Sequence, residues 1–417
     1  MKFCMITTYY PPFHFGGDGI YVQALSRALV ANGHEVTVVH CADAYALRAA
    51  PTGPVEPEDS IQDGIRVRRL HSAWGWLSPL LTQQTGRPLL KERKLREILG
   101  ADFDVVNFHN ISLVGGPGVL ALPAGRALKV WTLHEHWLLC STHIFWKDQR
   151  QRCDKRECLR CCLKSGVPPQ AWRATGLIES SLAHVDALIA PSQFTAGLYR
   201  PRVAPKPVHV LPLFSPLWPA GGQAQAVPTE PTVPGYFLFV GRVTTSKGLR
   251  PMLEQLARHP RLRLKVAGGG DLLATLQEEF QGSAHIEFLG PTGAAQLALL
   301  YAGATAVVLP SLAPETFGLT VVEAMAFGTP AVVHDAGGSR EIVETAGAGF
   351  VFNHFDELPP LLYRLLDDAA LRRRESAKAR AAHAEHFTAE LHLRRYMALL
   401  ADVRAQRLST VPAGLPA

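Results

Sequence analysis

Short apolar runs alternate with helix-spaced stretches from the first residues onward. "MKFCMITTYY" (1–10) is a brief apolar run ending in turn residues, and "GIYVQALSRALVANG" (19–33) repeats its apolar positions at helical spacing. "HEVTVVH" (34–40) is again a strand, and Gly33 stops the helix before it. A strand–helix–strand opening predicts a parallel sheet with helices on its faces. The alternation continues through "DVVNFHN" (104–110), "LKVWTLHEHW" (128–137), "SLAHVDALIAPS" (181–192) and "PVHVLPLF" (207–214). Residues 215–235, "SPLWPAGGQAQAVPTEPTVPG", carry many Pro, Gly, Ala and Thr without periodicity and read as a linker. Beyond it strands recur at "YFLFVGR", "LRLKVAGGG", "HIEFLG", "TAVVLPS" and "PAVVHDAGG", with helical stretches between them.

The fold class expected is α/β, with two doubly wound Rossmann-like domains facing a cleft. Their predicted spans are 1–214, carrying a Cys-rich insert, and 236–385. The amphipathic stretch "ELHLRRYMALLADVRAQ" (390–406), within a final segment 386–417, is expected to return across the domain junction.

Composition agrees with this picture. A chain of 417 residues is too long for one ordinary core, and 47% apolar residues suit a globular protein. The first residues meet polar positions and prolines too early for a secretory signal, and no run of roughly 18 apolar residues predicts a membrane span. Of seven cysteines, five crowd into residues 140–162, which suits a reducing compartment with a local cysteine site. The expected location is cytoplasmic, peripheral at the inner membrane face if the basic surface binds lipid.

A net charge of +6 and a pI of about 9.0 favour anionic partners such as nucleotide phosphates, an anionic membrane face or nucleic acid, although a solvated basic surface explains them equally. The basic residues gather at 87–99, 154–164 and 370–383, and the first group has the apolar spacing of a helix lying on a membrane. No aromatic-interleaved basic stripe suggests single-stranded nucleic acid.

Ligands of open α/β sheets bind beyond the strands' carboxyl ends, often at helix N-termini. Three places qualify. "FVGRVTTSKG" puts Arg242 and Lys247 in one loop after a strand, where both can straddle a diphosphate or stand as exposed charges. "FHFGGDGIYVQAL" places Gly16 and Gly17 before a helix, where bare backbone approaches a phosphate or sugar, or forms a turn capped by Asp18. "PETFGLTVVEAMAFGTPAV" (314–332) holds Glu315 and Glu323, seven residues apart, in an otherwise apolar segment. There Glu315 precedes a helix whose first amides, at Phe317, Gly318 and Leu319, favour an anion, and Glu323 lies further along that helix, within reach of a vicinal diol.

"GRVTTSKG" together with "PSLAPETFGLTVVEAMAFGTPAVVHDAGGSREIV" resembles the donor half of GT-B glycosyltransferases of the retaining family 4, group 1 type. "MITTYYPPFHFGGDGIYVQALSRALVANGHEVTVV" is similar to that family's N-terminal opening. The resemblance implies transfer from a nucleoside diphosphate sugar, of UDP or GDP type, to a hydroxyl of a glycan, a lipid-linked or a small-molecule acceptor. It implies no catalytic metal. Arg242 and Lys247 would bind the diphosphate, Glu315 with the Phe317–Leu319 amides the donor sugar, Glu323 the ribose, and Gly16 and Gly17 would admit the diphosphate. "WTLHEHWLLC" reads as the end of a strand with His134 and His136 on the same alternating face as Thr132; the resemblance implies a cleft histidine at that strand's end, for which His134 is the candidate and His136 the runner-up.

Cys140, Cys153, Cys158, Cys161 and Cys162 have spacings that suit a structural zinc ion, less well an iron–sulfur cluster, or plain reduced thiols. "VAGGGDLLATL" lacks the third glycine of a dinucleotide loop, and no P-loop motif occurs. Within the same fold, an epimerase or a glycan phosphorylase is the alternative; a non-catalytic nucleotide-sugar-binding subunit is another.

Overall fold

The computed structural model describes residues 1–47, 49, 57–148, 150–217 and 235–410. They form two units. The first comprises Met1–His143, Glu157–Leu211 and the chain from Ala389 on; the second comprises Ile144–Arg156 and Pro212–Thr388.

The first unit is built on β1 (Lys2–Ile6), β2 (Glu35–Cys41), β3 (Asp59–Gln62), β4 (Ile65–Leu70), β5 (Val105–Phe108) and β6 (Leu128–Thr132). A two-stranded hairpin, β7 (Trp146–Lys147) and β8 (Gln151–Arg152), follows in sequence, then β9 (Ala187–Ala190) and β10 (Val208–Val210). The eight-stranded sheet runs β10-β9-β6-β5-β1-β2-β4-β3, and only β3 is antiparallel. Ile6 stands opposite Val39 on one side and Phe108 on the other. Strands β5, β6 and β9 are buried along their whole length, as is β1 beyond Lys2. Parallel strands covered on both faces are mainly apolar, and the buried polar exceptions here, Asn107, Lys129 and Thr132, are each hydrogen-bonded. Ile6, Phe108, Trp131, Trp137 and Leu188 belong to the core of this unit.

The antiparallel β3–β4 pair departs from the strand–helix alternation read in the sequence. It turns at Asp63 and Gly64, with φ of 52° and 76°, so that Gln62 pairs with Ile65. Asp-Gly is the residue pair that a two-residue hairpin of this twist demands.

The helix Ala389–Thr410 packs within the first unit. Its Tyr396 hydroxyl accepts from Asn107 Nδ2 at 2.9 Å, His392 Nε2 meets the Tyr21 hydroxyl at 2.8 Å, and Arg407 donates to the Ala127 carbonyl at 2.9 Å. These partners account for its long-range return. The hairpin β7–β8, expected inside the N-terminal domain, groups instead with the second unit, where Arg152 donates to the Asp335 carbonyl.

The second unit carries a six-stranded parallel sheet of β11 (Tyr236–Val240), β12 (Leu264–Ala267), β13 (Ile286–Gly290), β14 (Ala304–Leu309), β15 (Ala331–His334) and β16 (Phe350–Phe352). Its order is β13-β12-β11-β14-β15-β16. The central pair sets β11 beside β14, Leu238 opposite Val307. Separate apolar clusters are built around Phe237, Phe239 and Val308 and around Leu238, Val307 and Tyr301. These neighbouring residues alternate between the clusters as successive strand positions alternate between faces. The predicted linker falls largely on 218–234, outside the described residues. Among the described residues no helix is long and apolar enough to cross a membrane.

Candidate active site

In the second unit the loops after β11, β14 and β15 interlock. Two glycines show why. Gly248 has φ 67°, and a Cβ there would stand 1.9 Å from the Pro310 carbonyl oxygen. The loop bearing Lys247 therefore lies directly on the end of β14. The Ser246 carbonyl then accepts from the amides of Leu312 (2.9 Å) and Ala313 (3.0 Å), joining this loop to the one that carries Glu315. Likewise Gly268, φ 141°, lets β12 end flush against the Gly241 carbonyl, where a Cβ would come within 1.9 Å. The Val243 amide donates to Gly269 and the Leu272 amide to Val243. "VAGGGD" is thus the floor under the Arg242 loop, and sequence reading had assigned it no task.

Glu315 is fixed at both ends of its peptide. Its amide donates to Ala336 and its carbonyl accepts from Gly338, both at 2.8 Å. The side chain accepts from Lys247 Nζ at 2.6 Å and from the Ser311 hydroxyl. Burial pushes this carboxyl up, yet the Lys247 charge, the two hydrogen bonds and the charge of Arg242 together hold it below its ordinary value. Glu315 is a carboxylate at neutral pH. Arg242 is exposed and has no side-chain partner among the described residues. The sequence placed Lys247 on the diphosphate and Glu315 on the sugar; here the two are paired, and Ser311 is a contributor that no motif announced.

The helix expected from Phe317 begins at Leu319, because Gly318 takes φ 115°, and it ends before Gly328 at φ 72°. Phe317 is buried. The first-turn amide of Leu319 has no acceptor within its own helix, as at any helix start. Glu323 sits one turn further in, accepting a 2.7 Å hydrogen bond from the Tyr301 hydroxyl. Burial raises its pKa to about 7, against the smaller opposing effect of Tyr301.

A pH prediction follows from Glu323. Hydroxyls that donate to its carboxylate favour the ionised form, so binding of a diol there releases a proton around neutrality and tightens as pH rises through about 7. Calorimetry in buffers of different ionisation enthalpy reads that proton directly. Proton uptake, or affinity falling over the same range, would mean that the neutral acid donates to the ligand instead.

In the first unit, Gly16 is the extended residue before the helix Gly17–Ala31. A Cβ on Gly16 would meet nothing nearer than Asp18 at 3.7 Å, so open space rather than backbone strain marks this position. Asp18 Oδ2 accepts from Asn110 at 3.1 Å, and its charge bears on His134.

His134 was read as lying on the alternating face of a strand reaching 137. The strand β6 ends at Thr132. The chain then turns, with the His136 amide on the His143 carbonyl and the Cys140 amide on the His136 carbonyl, so strand alternation stops applying. His134 Nε2 meets His109 Nδ1 at 2.9 Å, the rings nearly parallel, and its other neighbour is the Tyr21 ring. Burial lowers the pKa of His134 to about 4, Asp18 opposing, and lowers that of His109 well below its ordinary value, His134 adding to the effect. Both rings are neutral at pH 7, so a single proton serves their shared hydrogen bond and His109 helps fix the tautomer of His134. His136 is buried beside Phe194.

Arg173 clamps the turn beyond His134. Its guanidinium donates to the carbonyls of Trp137 (2.7 Å) and Leu138 (3.0 Å), lies over the rings of Trp137 and Trp172, and has its pKa lowered by burial to about 10. The Tyr199 hydroxyl adds a bond to the Glu135 carbonyl.

The five clustered cysteines are free thiols. Cys158, Cys161 and Cys162 share one face of the helix Cys158–Lys164, and Cys162 Sγ lies 3.0 Å from the hydroxyl of Ser141, the neighbour of Cys140. Cys153 Sγ lies on the hairpin side, near the Lys155 carbonyl. Among the described residues no group of three or more His, Cys, Asp or Glu is arranged to hold a metal ion. The geometry therefore lends the expected zinc or iron–sulfur site no support, and no chemistry is assigned to it.

Comparison with known proteins covers both units. The family described as "Glycosyl transferases group 1" matches residues 223–382, and "Glycosyltransferase Family 4" matches residues 15–214. A D-inositol 3-phosphate glycosyltransferase of Xylanimonas cellulosilytica is 30% identical over 399 residues, 88% of this chain and 87% of that protein. A glycogen synthase of Mycobacterium tuberculosis is 27% identical over 399 residues, covering 91% and 89%. Among solved structures, sucrose-phosphate synthase from Thermosynechococcus elongatus superposes with a TM-score of 0.70 at 20% identity, covering 97% of this chain and 99% of that one. An Anabaena protein, HepE, in complex with UDP-glucose gives 0.63 at 18% identity, covering 96% and 100%. These structural likenesses show the fold, which is GT-B.

Proposed function

The chain belongs to the group 1 glycosyltransferases, and from that premise we propose that it is a retaining enzyme taking its sugar from a nucleoside diphosphate sugar. The observation that carries this reading is the Lys247–Glu315 pair with the uncommitted Arg242 beside it. A carboxylate held ionised accepts hydrogen bonds from sugar hydroxyls, and adjacent fixed cations meet the charge that grows on a departing diphosphate. The UDP-glucose bound by the Anabaena structure and the ADP bound by a starch synthase of the same fold support that donor class.

In the proposed reaction the bond from the anomeric carbon to the phosphate oxygen breaks, and the diphosphate leaves with the electron pair. The acceptor hydroxyl oxygen attaches from the same face, and its proton passes to the leaving phosphate. Within the second unit, Arg242 and Lys247 stabilise the leaving charge, Glu315 orients the sugar and Glu323 binds the ribose. The named acceptor of the Xylanimonas relative, an inositol phosphate, makes a phosphorylated polyol one acceptor to try alongside glycans and lipid-linked sugars. Proton NMR of the first product formed from an α-linked donor tests the stereochemistry. An α-glycoside supports retention, and a β-glycoside as the initial product refutes it.

A further inference from the structure

A cavity of about 210 Å³ opens in the first unit between three stretches of chain, 87–96, 118–122 and 177–184. It shares no residue with the donor loops of the second unit, nor with His109 and His134. Its walls interlock through bare backbone. The Gly118 amide donates to the Gly86 carbonyl at 2.8 Å, and a Cβ on Gly116 would come within 2.6 Å of the Gly86 carbonyl carbon. Gly86, at φ 67°, is as tightly held on its other side, where a Cβ would stand 2.8 Å from Leu177 and 2.9 Å from Trp172. This contact seats the next residue, Arg87, at the edge of the cavity.

The lining is rich in uncommitted donors. Arg87 and His184 are exposed and have no side-chain partner among the described residues. Ser181 is only 2% exposed, yet its hydroxyl has no hydrogen-bond partner among the described residues. A buried hydroxyl is ordinarily satisfied, so an unpaired one on a cavity wall is a donor kept for whatever enters. Arg96 lines the same space with its charge met by Glu92 at 2.7 Å, so that carboxylate does not face an entering anion alone.

We propose that this cavity binds a small phosphomonoester, at a site separate from the donor site. A phosphate group presents three strong acceptor oxygens, and the donors here stand on two walls, Arg87 on one and Ser181 with His184 on the other. A planar carboxylate, with two oxygens, serves that arrangement less well. The volume is many times what a single water needs, but smaller than the roughly 300–1,000 Å³ of pockets for drug-sized ligands. That size selects a phosphate on a compact body over a nucleotide, and Leu122 and Leu177 give the body an apolar contact. The observations lie wholly in the first unit and do not depend on the donor reading.

The test is calorimetric titration of the full-length chain with glucose 6-phosphate and with inorganic phosphate, repeated on Arg87→Gln, Ser181→Ala and Arg242→Ala. Glucose 6-phosphate is expected to bind the native chain and Arg242→Ala alike, and more tightly than inorganic phosphate, because its body meets the apolar wall. Arg87→Gln should weaken that binding at least about tenfold and Ser181→Ala about fivefold. Thermal melts matching the native chain establish that the variants fold. The proposal is overturned if glucose 6-phosphate does not bind, or if it binds Arg87→Gln as tightly as the native chain. It is equally overturned if Arg242→Ala abolishes the binding, because the donor loops would then be its site. Sedimentation with phosphatidic acid vesicles separates the remaining source of phosphate: capture there through Arg87, without binding of the soluble ester, contradicts the proposal as well.

Discussion

Arg242→Ala lowers kcat by roughly 10²- to 10³-fold while leaving the melting temperature unchanged. The size is that of removing one fixed charge or donor aimed at developing negative charge in a water-poor site. The unchanged stability follows from the side chain's surroundings: Arg242 is exposed and has no side-chain partner among the described residues, so its loss strands no buried group. Its main interaction in the ligand-free protein is the long-range one that helps keep Glu315 ionised. Steady-state kinetics beside a thermal melt checks both halves. Full activity in the variant would remove the diphosphate role, and a large fall in stability would mean that Arg242 is structural.

Lys247 and Glu315 behave in the opposite way. Their side chains are 22% and 17% exposed and joined at 2.6 Å. Removing either partner alone leaves the other charge in poorly solvated surroundings, at a cost of about 3–5 kcal/mol. Replacing both, as Lys247→Met with Glu315→Leu, recovers much of that stability, because two apolar groups need no partner. Activity does not recover, since in the proposed reaction both charges meet the donor. A double-mutant cycle run on denaturation midpoints and on kcat therefore gives strong coupling in stability and near-complete loss of turnover in every variant. Turnover restored in the double variant would mean that the pair only holds the loops in place.

Much of this arrangement is legible in the sequence, and the reasons differ from residue to residue. The carboxylates at 315 and 323 stand out because ionisable groups in an apolar segment need a partner, and their spacing puts one in a loop and the other on the following helix. The identity of the partners was not legible. Lys247 and Glu315 meet across 68 residues through a strand pairing that no local pattern reports, and Tyr301 reaches Glu323 from a neighbouring helix. The GGG run at 268–270 was read only as an incomplete dinucleotide loop; its task, close approach to the Arg242 loop, emerges only from the parallel register of β11 and β12.

The parallel sheets could be read because their buried strands are short, mainly apolar runs. The antiparallel β3–β4 hairpin was present in the sequence as Asp63–Gly64 and was passed over, since the polar residues along its strands break the dominant apolar rhythm. His134 was read at a strand's end on its alternating face, a placement that fails because β6 ends at Thr132 and the chain turns. The amphipathic spacing of the last helix gave its existence. Its destination depended on Asn107, Tyr21 and Ala127, some 280 to 370 residues earlier, which is beyond any local signal.

The central claim is that the loops holding Arg242, Lys247 and Glu315, with the helix carrying Glu323, form a nucleoside diphosphate sugar site. The most direct test is calorimetric titration of the purified chain with UDP, GDP and ADP, repeated on Glu323→Ala. The account predicts clear preference for one diphosphate and markedly weaker binding by the variant, whose ribose contact is gone. Absence of binding by all three, or equal binding by the variant, would contradict it.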